Sequence, residues 1–339
     1  MNLLITGSLG LVGSTATEYF LNKNHSITGI DNDMRAVFFG NDGSTTTQLK
    51  RFLKNSNYTH TDLDIRDYKN LENIFKGNSF DAIIHTAAQP SHDKAREIPL
   101  LDFEVNALGT LNLLELTKQY AQKAVFIFTS TNKVYGDNPN KIGLRENKKR
   151  YVFKDKLFVG FNELTPVDHT THSLFGASKL SADICVQEYG KYFGLKTTCL
   201  RLGCITGQAH SGVKLHGFLS YLIKSLKEKK SYEIIGYNGK QVRDQIHAYD
   251  LAAAFEQIIK KPGVGEVFNL GGGSQNTISV LEAIELVSKK INIEPKLKYT
   301  KANRIGDHIC YISDIRKFQK RYPKWKLTQS IEDIVNEQL

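Results

Sequence analysis

The chain has 339 residues, 40% hydrophobic and 24% charged, which supplies material for a large buried core and excludes a disordered or fibrous chain. Its 45 Lys and Arg outnumber its 35 Asp and Glu, but the net +10 is spread along the chain and requires no nucleic-acid partner. Cys185, Cys199, Cys204 and Cys310 form no CxxC pair and no metal spacing with histidine, so zinc and a disulfide framework are excluded. No apolar run reaches the roughly 18 residues of a membrane span. The Met1 segment has no secretion signal, so the expectation is reduced thiols in the cytoplasm.

Residues 3–6 read as a buried strand, 11–22 as a helix and 26–31 as a second strand. Further strands are expected at 58–62, 82–85, 125–129 and 197–202, with helices at 68–75, 103–119 and 175–193 between them. Apolar strands separated by helical periods predict a parallel sheet covered on both faces, the doubly wound α/β sheet of a Rossmann domain. Beyond it, helices are expected at 215–227, 250–260 and 279–290, and strands at 232–235 and 267–270. This pattern suits a smaller α/β substrate-binding unit interleaved with the first domain. Residues 1–203 and about 244–271 would form the dinucleotide domain, and 204–243 and 272–339 the smaller unit. The polar, weakly periodic stretch 138–172 has the character of a functional or disordered loop.

Thr6-Gly7-Ser8-Leu9-Gly10-Leu11-Val12-Gly13 places a G-x-x-G-x-x-G turn between the first strand and the first helix. Gly7 permits the tight turn, Gly10 lets backbone approach a diphosphate, and Gly13 allows close packing of helix on strand. The helix N-terminus then offers N–H donors and a positive dipole end to that anion. The second strand ends in Asp31, eighteen residues past Gly13. A carboxylate there accepts from the adenosine ribose and repels a 2′-phosphate, which favours NAD; the neighbouring Arg35 keeps NADP as the lesser option. Asn32 adjoins this site, and Asp62 or Asp64 with Ile65 follows the third strand near the expected adenine position.

With this turn, the chain resembles the extended short-chain dehydrogenase/reductase superfamily, in its NAD-dependent nucleotide-sugar epimerase/dehydratase family. The residues that carry the resemblance are Thr129-Ser130-Thr131-Asn132-Lys133-Val134-Tyr135-Gly136-Asp137, Gly239-Lys240-Gln241-Val242-Arg243-Asp244-Gln245-Ile246-His247 and Arg304-Ile305-Gly306-Asp307. These runs, and the insert between Gly136 and His172, are similar to the CDP-paratose 2-epimerase subgroup. The resemblance implies a cofactor held near Ala87, Ala88, Gln89, Asn106 and Lys179, and Thr131 bonded to the reacting sugar hydroxyl. It further implies a nucleotide-diphospho-sugar substrate touching Gln89, Thr131, Asn132, Lys133, Arg201, His216, Arg243, Arg304 and Asp307. Arg243 and Arg304 would grip the diphosphate with forked, permanently charged donors. Pairing of the 103–119 and 175–193 helices would make a homodimer.

The superfamily's Tyr-x-x-x-Lys places a phenol and an ammonium on one helical face. In this chain the run is Phe175-Gly176-Ala177-Ser178-Lys179, so the lysine is present and the phenol is missing. A phenyl ring moves no proton, and loss of a positioned acid–base group costs about 10²–10⁴-fold in rate. Either another group moves the proton, with Tyr135 and His172 foremost and Lys133 and Cys204 behind them, or a tyrosine has been replaced, or the chain binds without turnover. Asn132-Lys133 stands where dehydratases of the family carry an Asp-Glu pair, which counts against that elimination chemistry. The expected function is NAD-dependent epimerisation of a nucleotide-diphospho-sugar. The alternatives are another nucleotide-sugar oxidoreductase, a dehydratase variant or a catalytically silent binding protein.

Overall fold

Seven parallel strands form one sheet in the order Glu266–Leu270, Lys196–Leu202, Val125–Thr131, Ala82–His85, Asn2–Thr6, Ser26–Ile30 and Tyr58–Thr61. The computed structural model describes residues 1–208, 217–301, 303 and 306–339. Leu3, Leu4 and Ile5 of the interior strand Asn2–Thr6 are wholly buried, because alternate side chains enter apolar cores on opposite faces. One core packs Leu11–Leu21 and Ala248–Lys260 on the sheet; the other packs Tyr68–Gly77, Gly109–Tyr120 and Leu174–Phe193. The chain winds outward one way from Asn2–Thr6 and then returns to build the other half. That reversal opens a crevice beyond the carboxyl ends of Asn2–Thr6 and Ala82–His85, where ligands of such sheets sit.

The expected helix at 103–119 is interrupted. A short α-helix, Pro99–Phe103, passes through a π-turn at Glu104–Leu108 into Gly109–Tyr120. The wider turn brings Asn106 against Gln89 and Ser178, where its amide serves both. The stretch 138–172 is ordered: Leu144–Glu146 and Tyr151–Phe153 form an antiparallel pair. Phe153, Phe158 and Phe161 pack around Tyr135 and Tyr311, with the rings of Phe161 and Tyr311 stacked at 5.3 Å. Spacing this irregular carries no period, so those contacts were not legible in the sequence. The short helices Met34–Phe39 and Thr46–Phe52 and the terminal helix Ile331–Gln338 were likewise not anticipated.

In the remaining part, Val242–His247 is the shared strand, pairing with Cys204–Thr206, Thr277–Ser279 and Cys310–Tyr311. Helix Val280–Ile291 begins with a capping box in which Ser279 and Glu282 serve each other's backbone N–H. Its apolar face meets Phe218–Lys227 and the terminal helix around Leu222, Ile284 and Ile334. The expected start of the 215–227 helix lies outside the described residues; the described helix begins at Phe218. Among the described residues no helix is long and apolar enough to cross a membrane, and no cluster suits a metal ion.

Candidate active site

A cavity of about 480 Å³ runs from the glycine turn to Arg243 and Asp307, lined at successive points by Asp31, Thr131, Phe175, Lys179 and Lys133. At one end Gly7 has φ +67° and donates to Ile30 O, and a Cβ on Gly13 would fall 2.0 Å from Gly7 O. The turn can therefore close only with glycine at these two places. Gly10 precedes helix Leu11–Leu21 with no side chain capping it, and Leu11, Val12 and Gly13 line the cavity with the first-turn backbone. This is a cradle for a diphosphate. Asp31 accepts from the N–H groups of Leu9 and Asp33, each at 2.9 Å, which fixes its carboxylate beside the glycine turn, where it suits a ribose. Burial raises its pKa above the usual carboxylate value.

Asn32, Arg35, Asp64 and Ile65 line the same end. Asn32 donates to Asp64 at 3.3 Å, and Asp64 is gripped by Arg66. Arg35 lays its guanidinium 5.2 Å over the Phe39 ring and donates Nε–H to Gly43 O. The donor set fits a dinucleotide: bare amides for the diphosphate, a carboxylate for the ribose and an apolar slot at Ile65.

At the other end, Thr131 closes its strand and its Oγ1 accepts from Lys133 N at 3.2 Å. Lys179 donates to Thr129 O at 2.8 Å and stands 4.0 Å over the Phe128 ring. Burial pushes its ammonium down to about 7, away from its ordinary range. Phe175 precedes it by one helical turn, and its ring faces the cavity without a donor or acceptor. Lys133 Nζ donates to Gly306 O at 2.9 Å and lies 3.4 Å from Asp307 Oδ1. Arg243 Nη2 meets the same oxygen at 2.6 Å. Burial would raise the Asp307 carboxyl, but Arg243 and Lys133 hold it far below the usual range. The result is a cationic patch on Lys133 and Arg243, pre-aligned by one carboxylate.

Several expected site residues stand behind the cavity wall instead. Tyr135 is fully buried, donates to Asn269 Oδ1 at 2.7 Å and stacks on Tyr311, so it is a packed ring and not a proton carrier for the cavity. His172 spends Nε2 on Val134 O at 2.8 Å. Arg201 forms a two-point pair with Asp183 beneath the sheet, at 2.9 and 3.1 Å, which turns it from any substrate. The Gln89 amide points to Asp102 and Ser91, and Asn106 braces the Gln89 backbone. Thr6 turns its hydroxyl to His85 at 2.7 Å, and Leu9 contributes its N–H to Asp31. These residues shape the cavity from behind. Ala87, Ala88 and Asn132 line it directly. His216 and Arg304 lie outside the described residues.

Among the lining residues that sequence reasoning missed, two carry unpartnered polar atoms. His92 lines the cavity, and its buried Nε2 has no hydrogen-bond partner among the described residues. Gln245, two residues past Arg243 on the same strand face, has neither amide atom partnered among the described residues. Its alternation with Arg243 was the one signal that could have found it.

A parallel sheet with a glycine cradle at its reversal point, an acidic second-strand terminus and a Thr–Lys pair across the cavity defines a dinucleotide-dependent enzyme of the short-chain dehydrogenase type. The chain belongs to the NAD dependent epimerase/dehydratase family, whose model matches residues 3–271. NAD is accordingly the dinucleotide for which the cradle is built. The chain is 31% identical over 325 residues to CDP-paratose 2-epimerase of Salmonella typhi, covering 94% of this chain and 92% of that protein. It is 29% identical to UDP-glucuronate 4-epimerase of Thermodesulfobacterium geofontis, covering 97% and 92%. The crystal structure of UDP-glucose 4-epimerase from Thermotoga maritima with UDP-glucose is similar, with TM-score 0.80, 25% identity and coverage of 100% and 97%.

Proposed function

We propose that the chain epimerises a nucleotide-diphospho-sugar by transient oxidation of one sugar hydroxyl, in the manner of the CDP-paratose 2-epimerase it is similar to. The observation that carries this is the continuity of one cavity from the glycine cradle, past Thr131 and Lys179, to the Arg243–Asp307–Lys133 patch. Bound NAD would supply the hydride acceptor and donor for a sugar carbon. Thr131 orients the hydroxyl, Lys179 holds the nicotinamide ribose, and Arg243 supplies charge to the substrate diphosphate. Asn132-Lys133 leaves no carboxyl pair beside Thr131, which favours epimerisation over elimination.

Phe175 favours one second reading, a protein that binds nucleotide sugars without turning them over. Incubation with NAD and CDP-, UDP-, GDP- and dTDP-hexoses separates the two. A new stereoisomer without net NADH supports the epimerase; accumulating NADH points to a dehydrogenase; tight binding of a sugar nucleotide with no product supports the silent binder. Part of this proposal is a homodimer in the cytoplasm, supported by exposed Phe103, Leu108, Ile184 and Phe193 on the helices expected to pair. The boundaries at 203, 244 and 271 between the two units are retained with it.

A further inference from the structure

We infer that His92 moves the proton that the missing phenol at position 175 would otherwise move. This rests on the epimerase reading above. Thr131 accepts from Lys133 N, Lys133 Nζ donates to Gly306 O, and His92 Nε2 lies 2.9 Å from where a Cβ on Gly306 would stand. That Cβ position is also 3.5 Å from Ser173 Cβ, two residues before Phe175. His92 is thereby placed at the Thr131–Phe175 end of the cavity, not at the adenosine end. Glycine at 306 is what lets the imidazole in, since any side chain there would strike Nε2.

Lys179, Lys133, Cys204 and Asp307, which line the same cavity, are ill suited to take this proton. Lys179 donates to Thr129 O, and Lys133 donates to Gly306 O. Burial pushes the Cys204 thiol up to about 11. Asp307 is held ionised by Arg243 and Lys133, which makes it a poor base. Among the described residues the His92 ring nitrogen Nε2 has no partner, and Asp93 Oδ1 stands 3.6 Å from its Nδ1 on the opposite edge. A buried, unpartnered nitrogen is unfavourable unless a ligand group completes it. A sugar hydroxyl would do so, and imidazole is the most frequent general acid–base group of enzymes.

The step balances. The sugar O–H bond breaks toward Nε2 as the C–H bond gives its hydride to the nicotinamide, leaving a C=O bond. On return, hydride enters the opposite face of the carbon and Nε2 gives its proton back to the oxygen. No net oxidation results.

The test compares wild type, His92→Gln, Phe175→Tyr and the double variant on the four nucleotide-hexose classes with NAD. The expected result is at least a 100-fold lower kcat in H92Q with unchanged NAD binding by calorimetry, and recovery of at least tenfold when Phe175→Tyr is added. Turnover by wild type with H92Q within threefold of it overturns the role of His92 and leaves the epimerase reading standing. Absence of turnover by wild type on every sugar overturns both. Should H92Q fail to fold, the ¹⁵N ring signals of wild type decide. A His92 Nε2 shift on adding CDP-glucose to the NAD-loaded protein supports the inference, and an unmoved signal defeats it.

Discussion

Phe175 and Lys179 stand one turn apart on helix Leu174–Phe193, both facing the cavity that Thr131 closes from the sheet. The lysine is anchored at 2.8 Å to Thr129 O, in the strand that ends in Thr131, so its position does not depend on a phenol at 175. The face thus differs from a Tyr-x-x-x-Lys face by one oxygen atom.

Lys179→Met is therefore expected to be severe. It removes the donor to Thr129 O and the cation proposed to hold the nicotinamide ribose, and should lower kcat/KM by about 10²–10³-fold. NAD affinity measured by calorimetry should fall in the same variant. Its circular dichroism should match that of wild type, because methionine fills the same buried volume.

The glycine cradle makes a paired prediction. Gly13→Ala drives a Cβ to 2.0 Å from Gly7 O and should abolish detectable NAD binding. Gly77→Ala, at the end of helix Tyr68–Gly77, meets nothing within 4 Å. It should leave binding unchanged and stabilise the fold by up to about 1 kcal/mol. Calorimetric titration and thermal melts of the two variants distinguish a cofactor cradle from a merely tight corner.

Arg243→Met tests the substrate end. It removes the cation nearest the expected diphosphate and leaves Asp307 facing Lys133 alone. Affinity for CDP or UDP should fall by about 100-fold, near 3 kcal/mol, while NAD affinity stays within threefold. An equal loss for both ligands would place the arginine outside a substrate subsite.

The sequence disclosed this site unevenly, for physical reasons. The cradle, Asp31 and the Phe175–Lys179 pair are local: each depends on spacing within one strand–turn–helix unit or one helix face. Tyr135, Arg201 and Gln89 carry the right residue types in the right runs, yet Asn269, Asp183 and Asp102 capture them. Those partners come from other segments of the chain, and no local pattern reports them. His92 was hidden for the same reason, since what marks it is its approach to Gly306, more than two hundred residues later. The 138–172 stretch looked structureless because its order rests on aromatic contacts with Tyr311 and not on a period.

The last prediction concerns the scaffold behind the cradle. Glu256 on helix Ala248–Lys260 joins helix Leu11–Leu21 through Tyr19 Oη at 2.8 Å and the turn after that helix through Lys23 Nζ at 2.9 Å. Burial would raise its carboxyl, but Lys23, Lys260 and the Tyr19 hydroxyl bring it down to about 2. A carboxyl whose folded pKa lies below its unfolded value stabilises the protein above that unfolded value. The contribution then fades as pH falls from about 4.5 toward 2. Glu256→Gln should thus cost about 1–2 kcal/mol in urea unfolding at pH 7, with the gap to wild type narrowing below pH about 4. A gap that stayed constant down to pH about 3 would mean that shape, and not the ionised carboxylate, holds these helices together.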